Sequence, residues 1–423
     1  MSTALSTASA AVSTERPLAT GHKGVTRGLL VVLALLSAIA PFATDLYLPA
    51  FPQMTGELET SATAVQLTLT AFLVGIAIGQ LIFGPLSDRF GRFRPLIVGA
   101  LLCVVASAVA AVAPTVGILI AARFVQGLTG AAGMVIGRAI ISDLAVGKAA
   151  AQAFSLMMIV GGVAPVVAPL VGSLLVEPLG WRGILWVVFG LVAVMLVAVA
   201  VVVRESHTPD RRAAAADYKT NNTSAKSGLW SRAYLGNTLA FGFAFAVMMA
   251  YISASPFVYQ VMIGLSATQY GLLFGANAVG LVVVSAISAK LAATQNVHRL
   301  LGLGLVLVFA ATVALILLVV LSAPVAWLPV PIFVAVASLG LVLGNATAMA
   351  LAAVPRAAGT GSAVLGALQF GLAAAVSPLV SLGGENTALP LAIVMITVAA
   401  IALAAFLTAS PQRGAATVSA AVH

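Results

Sequence analysis

Two ionisable side chains stand inside long apolar runs: Asp45 in FATDLYLP and Arg123 in ILIAARFVQG. On a lipid-facing helix surface either charge costs about 3 kcal/mol even on permissive scales, so both are expected to face the protein interior or a water-filled cavity. A carboxylate in such a place can take up and release a proton, and a fixed cation in the same part of the chain feels the change in field. That chemistry couples proton movement to a change of shape or to contact with a solute. The blander reading of Asp45 is a helix-end cap, or a residue of an outer vestibule that does not titrate. Arg123 serves either the coupling or a structural network through backbone carbonyls and Gln126, one helical turn on.

A second cluster sits in GPLSDRFGRFRP, residues 84–95. Asp88 closes one apolar run, and Arg89, Arg92 and Arg94 crowd the turn before the next. Gly84 and Gly91 permit close helix approach and turn geometry, and Pro95 suits the first turn of a following helix. Asp88 can meet a neighbouring arginine or the positive N-terminus of another helix. Contacts made in one state and broken in another would form a gate at this mouth. A loop that only sets orientation would explain the arginines but not the carboxylate and the paired glycines.

GGVAPVVAPLVG, residues 161–172, places Pro165 and Pro169 on one helix face between Gly161 and Gly172. Proline frees a carbonyl and bends a helix, and glycine lets a neighbour approach closely. This stretch reads as a gating or leak-sealing helix between two halves, or as a simple kink. Gly75 and Gly79, and the series Gly127, Gly130, Gly133 and Gly137, imply close helix packing. Candidates for a central cavity are Tyr47, Gln126, Tyr251, Asn277 and Asn345, with Tyr47 and Tyr251 equally suited to anchoring at an interface. A cavity with so few charges fits a moderately lipophilic solute better than a sugar or polyanion.

The elements that must position these residues follow from hydropathy. Hydrophobic residues make up 61% of the 423 and charged ones 7%, with a mean hydropathy of +1.14. A soluble domain usually carries about 25% charged residues, so this surface must face lipid. Runs long enough to cross a bilayer fall at about 28–48, 64–86, 95–113, 116–139, 154–175 and 182–203. They resume at about 233–255, 268–289, 299–321, 326–350, 361–381 and 388–407. Residues 1–27 and 408–423 are expected to be cytoplasmic tails, the former disordered. The stretch 204–232 is expected to be a cytoplasmic linker between six-helix bundles at 28–203 and 233–407.

Alternate gaps hold Glu57, Glu59, Glu177 and Glu385, with Arg182 nearly their only cation, while the others hold Arg89, Arg92, Arg94, Arg138, Lys148 and further cations. Lys and Arg are retained on the cytoplasmic side, so both termini are placed inside. The net charge of +9 is therefore a matter of orientation, and no basic patch joins an aromatic platform to suggest nucleic-acid binding. Cys103 is the single cysteine and the four histidines are scattered, which disfavours a disulfide or a metal centre. No GKS or GKT phosphate loop, HExxH or GxSxG is present, so neither ATP-driven transport by this chain alone nor a familiar hydrolase site is supported.

GPLSDRFGRFR resembles the signature between helices 2 and 3 of the major facilitator superfamily, with Gly84, Asp88, Arg89, Gly91 and Arg92 in place. RFVQGLTGAAG is similar to its helix 4 signature, on Arg123, Gln126 and Gly127. GGVAPVVAPLVG resembles the antiporter signature of helix 5 in the form found among Bcr/CflA-type drug-resistance transporters, and TDLYLPAFP resembles the opening signature of that group. The resemblance implies an all-α fold of twelve membrane helices in two six-helix halves, and a protein that is no enzyme. It further implies export of phenicol- or bicyclomycin-like drugs by a monomer, in the bacterial inner membrane, through alternating access. A proton gradient would drive it without a cofactor, with Asp45 as the proton- and substrate-linked acid and Arg123 as its partner. Transport of an endogenous metabolite on the same fold, or a non-transporting receptor, are the rival readings. The turn AKLAATQNVHR in the second half lacks a second Asp-Arg-Gly-Arg arrangement, so any matching gate there is degraded.

Overall fold

The computed structural model describes residues 26–145, 147–209, 229–354 and 358–409. Most of both tails, and 210–228 of the expected linker, lie outside the described residues. The crossing helices are α1 (Arg27–Asp45), α2 (Ala62–Phe90), α3 (Phe93–Ala111) and α4 (Val116–Leu144), followed by a helical stretch Gly147–Val202. That stretch has 56 residues, about 84 Å of helix, far more than one bilayer. It is broken at Gly180, whose φ of 63° and ψ of 179° no helix contains, giving α5 (147–179) and α6 (181–202). The second half supplies α7 (Arg232–Pro256), α8 (Ala267–Leu291), α9 (Val297–Val320), α10 (Pro329–Ala352), α11 (Ala358–Val376) and α12 (Leu389–Thr408). No strand occurs among the described residues. Large apolar side chains such as Leu101, Val194, Val201, Leu272 and Val320 stay exposed along the spans, as a lipid-facing surface requires.

Helix starts follow local chemistry. The hydroxyls of Thr26, Ser61, Thr115 and Ser231 each accept the amide three residues on, and Ser266 forms a reciprocal capping box with Gln269. Three boundaries differ from the hydropathy reading. α1 ends at Asp45 rather than near 48, because Pro49 has no amide to give and its ring collides with the Asp45 carbonyl four residues back. The chain then turns through Leu48–Ala50 into a short helix, Phe51–Glu57. α4 continues to Leu144, so Arg138 belongs inside a helix rather than in a gap. α11 closes at Val376, and the residues assigned to its end form a separate turn, Leu379–Ser381.

Packing brings the first and fourth spans together. A Cβ on Gly127 would land on the Phe72 backbone, and one on Gly79 would lie 2.7 Å from the Ala131 Cβ, so α2 and α4 touch backbone to backbone. α5 is wedged between halves. A side chain on Gly172 would strike the Leu46 carbonyl where α1 ends, while Ser173 and Leu170 fill the surface left bare by Gly271 and Gly275 of α8. We call the end with the Lys/Arg-rich turns the inner end. At the outer end the halves are bonded directly: Gln66 Nε2 donates to the Ser253 carbonyl (2.8 Å), Thr63 Oγ1 to the Ser381 carbonyl (3.1 Å) and Gln260 Nε2 to the Pro49 carbonyl (3.1 Å). The outer mouth is closed.

Because the obstacle at Gly172 is backbone, no rotamer change relieves it. Gly172→Ala is expected to cost about 1–3 kcal/mol as overpacking and to lower the thermal unfolding midpoint of the purified protein. An unchanged midpoint would contradict this packing.

Candidate functional site

The break after Asp45 leaves the last carbonyls of α1 without amide partners. One is taken from α4: Arg123 Nη2 donates to the Ala43 carbonyl at 2.7 Å. Nη1 of the same guanidinium donates to Gln126 Oε1 at 2.6 Å, and Gln126 Nε2 donates to Ser107 Oγ on α3 at 2.7 Å. The guanidinium carbon lies 4.4 Å from the ring centres of both Tyr47 and Phe72. Arg123 is fully buried, and among the described residues its Nε has no partner and it forms no ion pair. Its charge is met by a carbonyl at the negative end of a helix, an amide oxygen and two aromatic faces. The carbonyl-and-Gln126 network therefore exists, and Tyr47 is part of it, fully buried, with its hydroxyl 3.0 Å from Thr68 Oγ1.

Asp45 is the last residue of α1 and is buried. It makes no ion pair with Arg123; the cation holds the backbone two residues earlier. Across the interface Asp45 is within electrostatic reach of Tyr251 and Tyr270. Those rings belong to a cluster in the second half in which Asn277 Nδ2 donates to the Tyr251 hydroxyl (2.7 Å), and Tyr270 pairs with Ser255 Oγ (3.2 Å). A π-helical stretch, Phe257–Met262, follows α7. Such insertions shift side chains out of α register and recur at functional sites; here one brings the Tyr259 hydroxyl to 3.4 Å from Asn277. Thus Tyr251 and Asn277 meet as cavity candidates. Asn345 does not join them: its Nδ2 donates to Ser288 Oγ (2.9 Å) and the Leu341 carbonyl (2.8 Å), tying α8 to α10 nearer the inner end.

At the inner end Arg92 gathers the turn. Its Nη1 reaches Asp88 (2.7 Å) and Ser87 Oγ (2.8 Å), and its Nε reaches Asp143 at the end of α4 (2.9 Å). Burial alone would lower the Arg92 pKa, but the hydrogen bonds and charges of Asp143 and Asp88 more than reverse this, so the cation is held above its ordinary value. Gly91 adopts a φ of +90°, and the space of its missing side chain is filled by the carboxylate of Glu205. That carboxylate accepts the Arg92 amide (2.8 Å) and the Phe93 amide (3.2 Å), capping α3 from the segment after α6. Ser206 Oγ adds a bond to Asp143 (3.0 Å). The positive start of α3 therefore meets Glu205. Burial and the Arg92 charge lower the pKa of neighbouring His207.

The sequence profile of the Major Facilitator Superfamily matches residues 33–378. The chain belongs to this superfamily. It is 35% identical over 389 residues to an uncharacterized MFS-type transporter, YdgK, of Bacillus subtilis, covering 91% of this chain and 96% of that one. It is 31% identical to a bicyclomycin resistance protein homolog of Haemophilus influenzae (86% and 92% covered) and 28% identical to a chloramphenicol resistance protein of Pseudomonas aeruginosa (88% of each). These relatives agree with the resemblance to drug-resistance transporters. In structure it superposes on a D-xylose–proton symporter with a TM-score of 0.67 at 14% identity (90% and 97% covered). A bacterial homolog of the human lysosomal transporter Spinster, inward-facing and occupied, gives 0.70 at 17% (92% and 97%). These likenesses establish the fold.

This facilitator is thus a membrane transporter and not an enzyme. Three residues of its site escaped the sequence reading. Glu205 lies in a polar segment where a carboxylate carries no signal, Asp143 was hidden by a span ended too early, and Tyr270 sat unremarked beside a helix start. The Gly91–Glu205 contact yields a local prediction. Glu205→Ala should speed hydrogen exchange at the Arg92 and Phe93 amides about fivefold, the worth of an N-cap of about 1 kcal/mol, with exchange in α9 unchanged. Equal rates in both proteins would show that Glu205 does not cap α3.

Proposed function

We propose that this facilitator exports small, moderately lipophilic molecules of the phenicol or bicyclomycin kind in exchange for protons. The observation that carries the reading is the position of Asp45. It is a buried carboxylate at a helix break, bonded to no cation, facing the tyrosines of the opposite half across an interface that alternating access must open. Protonating it changes the charge at that interface without disturbing the Arg123 network, whose partners are a carbonyl and an amide. The moving units are the bundles 28–203 and 233–407, joined by the 204–232 linker. The names of the relatives, a bicyclomycin resistance protein homolog and a chloramphenicol resistance protein, support the solute class. The protein works as a monomer in the bacterial cytoplasmic membrane with both termini inside, draws on the proton gradient without a cofactor, and has no nucleic-acid partner.

The test is proton release on adding chloramphenicol or bicyclomycin to proteoliposomes of purified protein. Wild type is expected to give a solute-dependent signal, and Asp45→Asn to lose it at unchanged expression. A normal signal from Asp45→Asn would remove Asp45 from the mechanism. Silence across the panel from folded wild type would favour an endogenous metabolite as cargo.

A further inference from the structure

The inner half of α4 carries a cation that neither the Arg123 network nor the inner turn uses. Arg138 is exposed, and its Nε donates only to the Met134 carbonyl of its own helix, at 3.0 Å. Three sides of α4 at this level are occupied. α3 lies against Ala132 at Gly99, α2 against Val135 at Gly84, and α1 against Gly137 through Leu33. With about 100° between successive helical residues, Arg138 falls in the remaining arc, between α1 and α2 and away from α3. α1 and α2 are the elements whose outer ends bond to the second half, so this arc looks into the cleft between the halves. Arg123 lies in the same arc, about 22 Å further out along the helix.

No carboxylate balances this charge. Arg138 makes no ion pair among the described residues. Arg92 already engages Asp88 and Asp143. The second half, 233–423, contains a single acid, Glu385, which lies at the outer end beside Gln66 and Ser381. Closing the inner mouth therefore brings no acid of the second half to Arg138. The remaining inner carboxylates, Asp210 and Asp217, belong to the linker, outside the described residues. A guanidinium that meets the cleft in a water-filled mouth, with its Nη groups unengaged, is a fork suited to a planar anion.

We propose that Arg138 docks an anionic group, a carboxylate or its equivalent, on solutes entering from the inner side, so that the transporter prefers lipophilic acids over their neutral counterparts. This deepens the export reading and rests on it. The apolar part of such a solute would point outward along α4, toward Arg123, Tyr47 and the tyrosines around Asn277.

The experiment measures binding of dansylglycine and of its uncharged methyl ester to purified protein in phosphatidylcholine nanodiscs, by dansyl fluorescence. Wild type is expected to bind the acid about tenfold or more tightly than the ester, the range of a charge-assisted hydrogen bond. Arg138→Gln should equalise the two, and Arg138→Lys should keep part of the preference. Asp210→Asn with Asp217→Asn should leave the preference intact. Equal affinities in wild type, a preference that survives Arg138→Gln, or one that disappears only with the linker acids would overturn the proposal. Chloramphenicol-dependent proton release, measured on the same preparations, reads the export function separately: a failed preference with intact release sinks this inference alone, and lost release with an intact preference sinks the export reading.

Discussion

A buried guanidinium without a carboxylate organises the first half of this transporter. Moving a charge of this kind out of water costs several kcal/mol unless its donors are met. Arg123 meets that demand with the Ala43 carbonyl, Gln126 and the faces of Tyr47 and Phe72. Each partner depends on a separate feature of the sequence. Pro49 breaks α1 so that the carbonyl becomes available, and Gly75, Gly79 and Gly127 let α2 come close enough to lay Phe72 on the cation. Gly172 lets α5 press against the broken end of α1. The helix break, the glycine pairs and the arginine are one arrangement, and Asp45 is the side chain it leaves facing the other half.

Since Arg123 is satisfied by backbone and amide, the carboxylate beside it is not committed to an internal ion pair. In the proposed cycle this separates two duties that the resemblance to known transporters assigns to a pair: Arg123 holds α1 in its broken form, and Asp45 carries the proton. The outer mouth is closed by bonds from Gln66, Thr63 and Gln260, all neutral groups whose rupture costs little net free energy in water. At the inner end Arg92, Asp88, Asp143 and Glu205 form a charged clasp that joins α2, α3, α4 and the segment after α6. The first half is thereby stiffened as a body, while the weaker outer bonds are the ones a rocking motion must exchange.

Much of this was legible in the chain, for physical reasons that differ by residue. Asp45 and Arg123 stood out because a charge in an apolar run must find shelter, and Gln126 followed from helical spacing. Gly172 and the two prolines of α5 were legible as packing features but not as to which neighbour they admit. The Ala43 carbonyl carries no side-chain signal, and its role emerges only when α4 meets α1. Glu205 acts at a distance through the fold, on a glycine more than a hundred residues earlier. Arg138 was assigned to a gap because hydropathy falls where a helix begins to line water, although the helix itself continues. Asn345 looked like a cavity residue for the same reason that any buried amide does, and its two bonds turned out to be a tie between α8 and α10.

The central claim is that the protonation state of Asp45 sets which mouth is open. It is tested most directly by the distance between spin labels at two exposed inner positions, Ser142→Cys on α4 and Thr294→Cys after α8, with buried Cys103 left in place. The distance distribution, recorded in nanodiscs by double electron–electron resonance, is predicted to shift between pH 5.5 and pH 8 (about two units apart) in the otherwise native protein, and to be the same at both in Asp45→Asn. A pH-dependent shift of equal size in Asp45→Asn would contradict the account and place the controlling proton elsewhere.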